Sequence, residues 1–213
     1  MSGFVPSLIE RKEFVNAITH GFGVLLTLTG TPVLLGLGLK IGDWWQVFGL
    51  SIFCFSLLMV YTSSTVYHCI SNPWYKRAFR KIDHISIYFL IAGTHTPFLI
   101  KYLNNGLGML YLGILWGLVV IGIIYKAFFI HRLKILSLVF YLGLGWMAVL
   151  TIPPMLSQMD DACFHWIIIG GAFYTLGVIF YVWEKIPYNH AIWHLFVLGG
   201  SIGHFIAMLY AFA

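Results

Sequence analysis

The sequence predicts an all-α, polytopic membrane protein, built as a bundle of seven transmembrane helices. The first observation is composition: of 213 residues, 60% are apolar and only 9% are charged, whereas a soluble domain carries about 25% charged residues. The second is that the apolar residues form runs of the ~20 residues that a helix needs to cross a bilayer. The third is that Lys and Arg concentrate between alternate runs. This composition excludes a soluble globular domain and a disordered chain.

Seven apolar segments account for the chain, and turn or charge signals separate them. Each is about 19–23 residues long, enough for a hydrocarbon core of ~30 Å at 1.5 Å per residue. The first segment is too long for the apolar run of a cleaved signal peptide, so we expect it to be retained. We predict a single domain over 1–213. The predicted segments are 17–39, 46–68, 82–100, 107–129, 135–156, 165–183 and 190–211.

The basic residues predict an orientation. If the segments alternate in direction, one side of the membrane holds ten of the twelve Lys and Arg residues, and the other side holds only Lys40 and Lys101. Because cytoplasmic loops carry the excess of positive charge, the N-terminus is predicted to be cytoplasmic and the C-terminus outside. The net charge of +5 has this explanation, and no nucleic-acid partner is predicted.

Imidazole and carboxylate groups converge on the cytoplasmic ends of the second, third and seventh segments. His68 ends the second segment, and His190 and His194 begin the seventh. Imidazole groups inside a membrane are costly, so they mark functional sites. His190 and His194 are four residues apart and share one helix face, which lets a helix give two ligands to one metal. With His68 as a third ligand, a zinc ion would keep one position open for water, as catalytic zinc does.

Two further polar residues lie at the same depth. Asp83, at the start of the third segment, could orient or deprotonate the water, bind the metal itself, or cap the N-terminus of its helix. Ser64 lies four residues before His68, on the same helix face, and could orient a ligand or donate a hydrogen bond to a developing oxyanion. The sequence therefore predicts a zinc site with Asp83 and Ser64 as catalytic residues.

The other histidines are not predicted to bind this metal. His95 lies twelve residues beyond Asp83, about 18 Å deeper, and His204 lies ten residues beyond His194, about 15 Å deeper. These separations exceed ligand bonds of ~2 Å. We expect His95 and His204 to form a second polar layer between the third and seventh segments. Four histidines near segment ends are also not predicted as ligands: His20, His84, His131 and His165.

Two pairs of glycines have the spacing of close helix packing in membranes. Gly113 and Gly117 are four residues apart, as are Gly199 and Gly203. Small residues at this spacing let two helix backbones approach closely. We predict a helix contact at both pairs.

These motifs together resemble the bacterial hemolysin III family, within the superfamily of progestin and adipoQ receptors and alkaline ceramidases. The resemblance covers nearly the whole chain. It implies seven helices with the N-terminus inside, in the bacterial plasma (inner) membrane. One departure is His95, where a tyrosine is more usual. The matching elements are Glu13-Phe-Val-Asn16, Thr19-His20-Gly21, Ser64-Thr-Val-Tyr-His68, Asp83, Ala92-Gly93-Thr94-His95-Thr96-Pro97, His190-Ala-Ile-Trp-His194 and Gly199-Gly200-Ser201-Ile202-Gly203-His204-Phe205.

The resemblance also implies a site and an activity. It implies zinc near the cytoplasmic face, held by His68, His190 and His194, with a water near Asp83. The ceramidase branch implies hydrolysis of lipid amides. Our first hypothesis is therefore a zinc-dependent hydrolase of a lipid amide or ester, with membrane lipids as partners and a role in membrane lipid homeostasis.

The second hypothesis is not an enzyme. The metal would be structural, and the protein would be a membrane sensor or regulator, or a pore-forming cytolysin as the family name suggests. The two hypotheses differ at Asp83, which would be a fourth metal ligand in the structural site and a proton acceptor in the hydrolase.

Overall fold

The computed structural model describes residues 8–129 and 134–213. Every regular element within these two ranges is a helix. The elements in chain order are α1 Leu8–Ile41, α2 Trp44–Cys69, α3 Pro73–Tyr102, α4 Gly106–Phe129, α5 Lys134–Trp146, α6 Ala148–Thr151, a 3-10 helix Pro153–Gln158, α7 Asp161–Val182 and α8 Asn189–Phe212.

Short capped turns join the first three helices. Gly42 adopts φ +78°, a conformation that favours glycine, and the next residue, Asp43, accepts a hydrogen bond from the Trp45 amide at 2.9 Å. Asn72 caps α3, with a proline at its first position, where a missing amide hydrogen costs nothing. The predicted capping role of Asp83 is therefore wrong, because Asp83 lies about three turns inside α3.

Two helix starts and one whole segment differ from those predicted. α1 begins at Leu8 rather than 17, and α3 begins at Pro73 rather than 82. Both extensions contain Lys, Arg or Glu residues. These residues are good helix formers, but a search for apolar runs leaves them out. The segment predicted at 135–156 is divided into α5, α6 and the 3-10 helix. Pro153 and Pro154 stand where the α-helix stops, because proline has no amide hydrogen to continue the hydrogen-bond pattern.

Five helices in the described ranges are long and apolar enough to cross a membrane by length and composition. Large apolar side chains cover the outside of the bundle; Phe55 is 59% exposed and Phe128 is 77% exposed. Such a surface is unfavourable in water and favourable against lipid. Seven crossings and the orientation of the termini stay predictions. The five helical spans are Glu10–Ile41, Trp44–Cys69, Gly106–Phe128, Asp161–Val182 and Asn189–Phe212.

The two most buried of these spans, α2 and α8, position the histidines. α1 packs against both, α3 packs against α2, and α7 packs against α8. α4 packs against α3, where Tyr88 and Leu115 belong to a second, smaller apolar cluster. The residues at the start of α8 therefore face α1 and the end of α2.

The glycine pairs have different environments. A Cβ at Gly203 would lie 2.9 Å from the Gly170 Cα atom, and a Cβ at Gly199 would lie 2.8 Å from the Phe173 ring. The predicted close packing at this pair is confirmed, and its partner is α7. A Cβ at Gly113 or Gly117 would meet no described atom within 4 Å. The prediction for that pair is wrong within the described ranges, since spacing alone does not say which face meets a neighbour.

Candidate metal centre

Three histidines from two helices meet between α1, α2 and α8. His68 comes from the last turn of α2, and His190 and His194 come from the start of α8. Each offers one ligand atom, and these atoms lie within 4.8 Å of one another. The ring centroids are 4.5 Å apart for His190 and His194, and 5.2 Å and 5.3 Å from His68 to these two. The structure thus brings together the three predicted ligands, which could hold a metal ion.

The free nitrogens of these rings suit a cation. The Nε2 atoms of His68, His190 and His194 are all buried without a hydrogen-bond partner among the described residues. A buried polar atom without a partner costs stability. Three such rings, whose ligand atoms lie within 4.8 Å of one another, fit a metal ion, because neutral imidazole nitrogen is a common zinc ligand.

The second nitrogen of His194 determines its tautomer. Nδ1 lies 3.2 Å from the backbone carbonyl oxygen of Asn16 and 3.0 Å from the Thr19 hydroxyl. The Thr19 hydroxyl itself donates to the same carbonyl at 2.8 Å. A carbonyl oxygen only accepts, so Nδ1 carries the hydrogen and Nε2 keeps its lone pair for a metal.

The Glu13 carboxylate fixes the orientation of the His68 ring. Its Nδ1 lies 2.9 Å from Glu13 Oε2, which also accepts from Lys76 Nζ at 2.9 Å. Lys76 further donates to the backbone carbonyls of Tyr67 and Ile70, both at 3.3 Å. The ammonium group thus holds the Glu13 carboxylate in place, and the carboxylate orients the His68 ring.

Glu13, Asn16 and Thr19 support the site, but in the sequence they stand out only as part of the family resemblance, with no predicted role. Glu13 and Asn16 precede the predicted first segment, and Thr19 is its third residue. Their spacing of three residues places them along one face of α1. A polar stripe on an otherwise apolar helix was the available signal.

His20 lies directly against the cluster. Its ring stacks on His194 with centroids 3.5 Å apart and meets Tyr61 edge-on at 5.1 Å. His20 is only 2% exposed, and neither ring nitrogen has a hydrogen-bond partner in the part of the chain that the structure describes. It is not one of the residues whose ligand atoms group within 4.8 Å, as predicted.

Ser64 and Asp83 are neighbours across the interface of α2 and α3. The Ser64 side chain is buried. Its hydroxyl group lies next to the Asp83 carboxyl group. Asp83 is half-buried and lines a cavity that also reaches His20. The cavity therefore connects the predicted acid to the ring that covers the histidine cluster.

The cavity has a volume of about 760 Å³ and lies among α3, α5, α7 and α8. Its walls are mainly apolar, with Leu90, Leu138 and Val197 among them. His95 and His204 line the same cavity. His131 lies outside the described residues, and His165 is exposed on α7.

The fold and this site together define an all-helical, multi-pass membrane protein with a buried three-histidine centre that could hold a metal ion. The family model described as haemolysin-III related matches residues 9–205, so the chain belongs to this family. It is a multi-pass bacterial membrane protein.

Relatives cover almost the whole chain. The chain is 42% identical to a hemolysin-3 homolog of Bacillus subtilis (strain 168) over 94% of both chains. It is 40% identical to hemolysin-3 of Bacillus cereus, covering 94% of this chain and 91% of the relative. It is 30% identical to the monocyte to macrophage differentiation factor of Homo sapiens, covering 96% and 85%. No solved structure matches the chain at a significant level.

Proposed function

We propose that this protein is a zinc-dependent membrane hydrolase that cleaves an amide or ester bond of a lipid. The observation that carries the proposal is the grouping of three imidazole rings with unpartnered nitrogens against His20, which lines an apolar cavity together with Asp83. Three protein ligands leave a coordination position open, which is typical of catalytic zinc. Asp83 is not in the group of three whose ligand atoms lie within 4.8 Å, which favours a proton-transfer role over ligation.

The residues of the chain divide the work. His68, His190 and His194 would hold the zinc ion, Glu13 keeps the His68 ring in the required orientation, and Thr19 does so for the His194 ring. A bound zinc ion lowers the pKa of its water toward ~7 and polarises a carbonyl group. The Asp83 carboxylate takes the proton from the attacking water and returns it to the leaving nitrogen or oxygen. The Ser64 hydroxyl donates a hydrogen bond to the oxygen on which negative charge develops.

The cavity supports a lipid as the substrate. Its apolar walls of about 760 Å³ suit an acyl chain, and its polar end at Asp83 suits the bond that joins the chain to a head group. The products would be a free fatty acid and an amine or alcohol, so no further reactant than water is required.

We also propose seven crossings with a cytoplasmic N-terminus. α3 has 30 residues, about 45 Å at 1.5 Å per residue, so its basic first turns can lie outside the hydrocarbon core. α5, α6 and the 3-10 helix together would form the remaining crossing. Two reporter enzymes fused after Ala213 test the topology. We expect a reporter that works only outside the cytoplasm to be active, and a reporter that works only in the cytoplasm to be inactive.

The hydrolase is tested on purified, zinc-loaded protein with a panel of N-acyl and O-acyl lipids. We expect release of fatty acid, and Asp83→Asn should lower the rate by about 10²–10⁴-fold, the contribution of a general base, while zinc content stays unchanged. Asp161→Asn, which changes an exposed carboxylate in the first turn of α7, is the control. Absence of hydrolysis of every lipid class by a zinc-loaded wild type would contradict the proposal and favour a sensor, regulator or pore with a structural metal.

A further inference from the structure

We propose that the cavity contains a second recognition site, at His95 and His204, for a hydroxyl group carried partway along the acyl chain of the ligand. The inference rests on the proposed function for the ligand being an acyl lipid. It adds a chemical specificity: among lipids of equal chain length, those with a mid-chain hydroxyl bind best.

His204 offers an acceptor to the cavity. The residue is 8% exposed, and its Nδ1 is buried without a hydrogen-bond partner in residues 8–129 and 134–213. Its ring donates to the backbone carbonyl of Ile167 and stacks on Tyr174 with centroids 5.5 Å apart. Since the other nitrogen carries the hydrogen, Nδ1 has a lone pair and can only accept.

His95 offers a second ring to the same cavity. It hydrogen-bonds to the backbone of Gly145, and it lines the cavity with His204. A ring that donates to a backbone carbonyl also keeps an acceptor nitrogen. A hydroxyl group has one hydrogen to donate, and the unpartnered Nδ1 of His204 can accept it. A hydroxyl is the donor that a lipid chain can carry.

The neighbouring hydroxyl groups do not satisfy these rings. Tyr61 donates to Ser201 at 2.7 Å, and Tyr174 and Ser201 are hydrogen-bonded at 2.7 Å. Thr94 donates to the Leu90 carbonyl at 2.7 Å. These groups are paired, so the unpartnered nitrogen of His204 is left to a ligand. An unsatisfied buried polar atom is costly in apolar surroundings, so a ligand that donates a hydrogen bond to this nitrogen gains affinity.

The second site has a defined distance from the proposed reaction. Along α3, His95 is twelve residues from Asp83, about 18 Å, and along α8, His204 is ten residues from His194, about 15 Å. An extended octadecanoyl chain whose reacting bond lies near Asp83 therefore brings carbons just past its middle to this layer. A hydroxyl next to the head group would lie too far away to reach it.

The test compares positional isomers on the wild-type, full-length protein in detergent. The probes are octadecanoic acid, the same acid with a mid-chain hydroxyl, and the same acid with the hydroxyl beside the carboxyl group. We expect the mid-chain isomer to bind about fivefold more tightly than either of the others, the effect of one hydrogen bond. Equal affinity of the two hydroxy acids would overturn the proposal.

Variants locate the effect. His204→Leu should bind the three acids with equal affinity, whereas His165→Leu, the exposed histidine of α7, should keep the fivefold preference. A preference that survives His204→Leu would overturn the assignment to this residue. If a variant does not fold, the isomer comparison on the wild type still decides.

The result is separable from the proposed hydrolysis, because binding is measured without turnover. A positional preference without hydrolysis of any lipid would support this site and contradict the hydrolase. Hydrolysis without a positional preference would support the hydrolase and overturn this site.

Discussion

Two groups of histidines in this molecule are built in different ways. Between α1, α2 and α8, three rings bring ligand atoms within 4.8 Å of one another, and each has an unpartnered Nε2 among the described residues. In the cavity, His95 on α3 and His204 on α8 are each anchored by a backbone carbonyl. Three unpartnered nitrogens gathered in one place suit a cation, whereas the single unpartnered nitrogen of His204 suits one hydroxyl donor. The same side chain therefore serves different chemistry according to how many rings meet.

The supports of the two layers differ as well. The three-histidine centre depends on side chains of α1 and α3: Glu13 with Lys76 behind His68, and Thr19 behind His194. The far layer, formed by His95 and His204, depends on backbone contacts and on the close packing of α7 on α8. Substitutions of single side chains should therefore damage the metal centre more readily than the far layer, and changes in helix packing should do the reverse.

The largest expected effect is at the metal centre. Purified wild-type protein should contain one zinc ion per chain, and His194→Ala should lose it, because two imidazoles do not complete a zinc site. Elemental analysis measures both. His165→Ala, which removes an exposed histidine, should keep the metal. A wild type that stays free of metal after zinc is supplied would remove the contrast between the two layers.

Removal of the carboxylate behind His68 should have the next largest effect. Glu13→Gln should weaken zinc binding by about 10–100-fold, the usual effect of losing a partner that orients a ligand. Competition with a chelator gives the affinity. Glu10→Gln, one turn earlier on the exposed part of α1, is the matched control and should bind zinc as the wild type does. An unchanged affinity in Glu13→Gln would show that His68 needs no support.

The far layer should respond to packing instead. A Cβ at Gly170 would lie 2.9 Å from the Gly200 carbonyl oxygen and 2.8 Å from the His204 ring. We expect Gly170→Ala to lower the free energy of unfolding by about 1–3 kcal/mol, the cost of overpacking. Denaturation in detergent measures it. Gly113→Ala, which would meet nothing described within 4 Å, should be neutral or slightly stabilising. Equal stability of both variants would contradict close packing of α7 on α8.

The smallest effect should follow from the support of His194. Thr19→Val keeps the shape of the side chain but removes one contact of Nδ1, and the Asn16 carbonyl remains as an acceptor. Zinc affinity should fall by about fivefold, one hydrogen bond. Thr29→Val, whose hydroxyl only bonds to carbonyls of its own helix, is the control. A loss as large as that of Glu13→Gln would mean that both supports are equivalent.

Much of the architecture could be predicted because the membrane constrains it. Apolar runs locate α2, α4, α7 and α8 within a few residues. The same criterion misplaced the starts of α1 and α3, because helices continue beyond the hydrocarbon core with polar residues. It also joined α5, α6 and the 3-10 helix into one segment, although Pro153 interrupts the helix.

The site could be predicted to a similar extent. The spacing of His190 and His194 places them on one helix face, and the positions of helix ends bring His68 to the same depth. Glu13, Asn16 and Thr19 could not be assigned, because which face of α1 meets α2 and α8 is a property of packing. The close contact at Gly203 and the open surroundings of Gly113 show the same limit with one motif.

The sequence by itself determined an all-helical membrane chain of the hemolysin III family, with histidines at matching helix ends. Periodicity and apolar length are local properties, and the chain carries them whatever its packing. Only the tertiary structure decided which nitrogens lack partners, which carboxylate orients His68, and that His95 and His204 face one cavity. These depend on how helices far apart in sequence rotate toward each other, because a buried polar atom is satisfied or left unsatisfied by its neighbours in space.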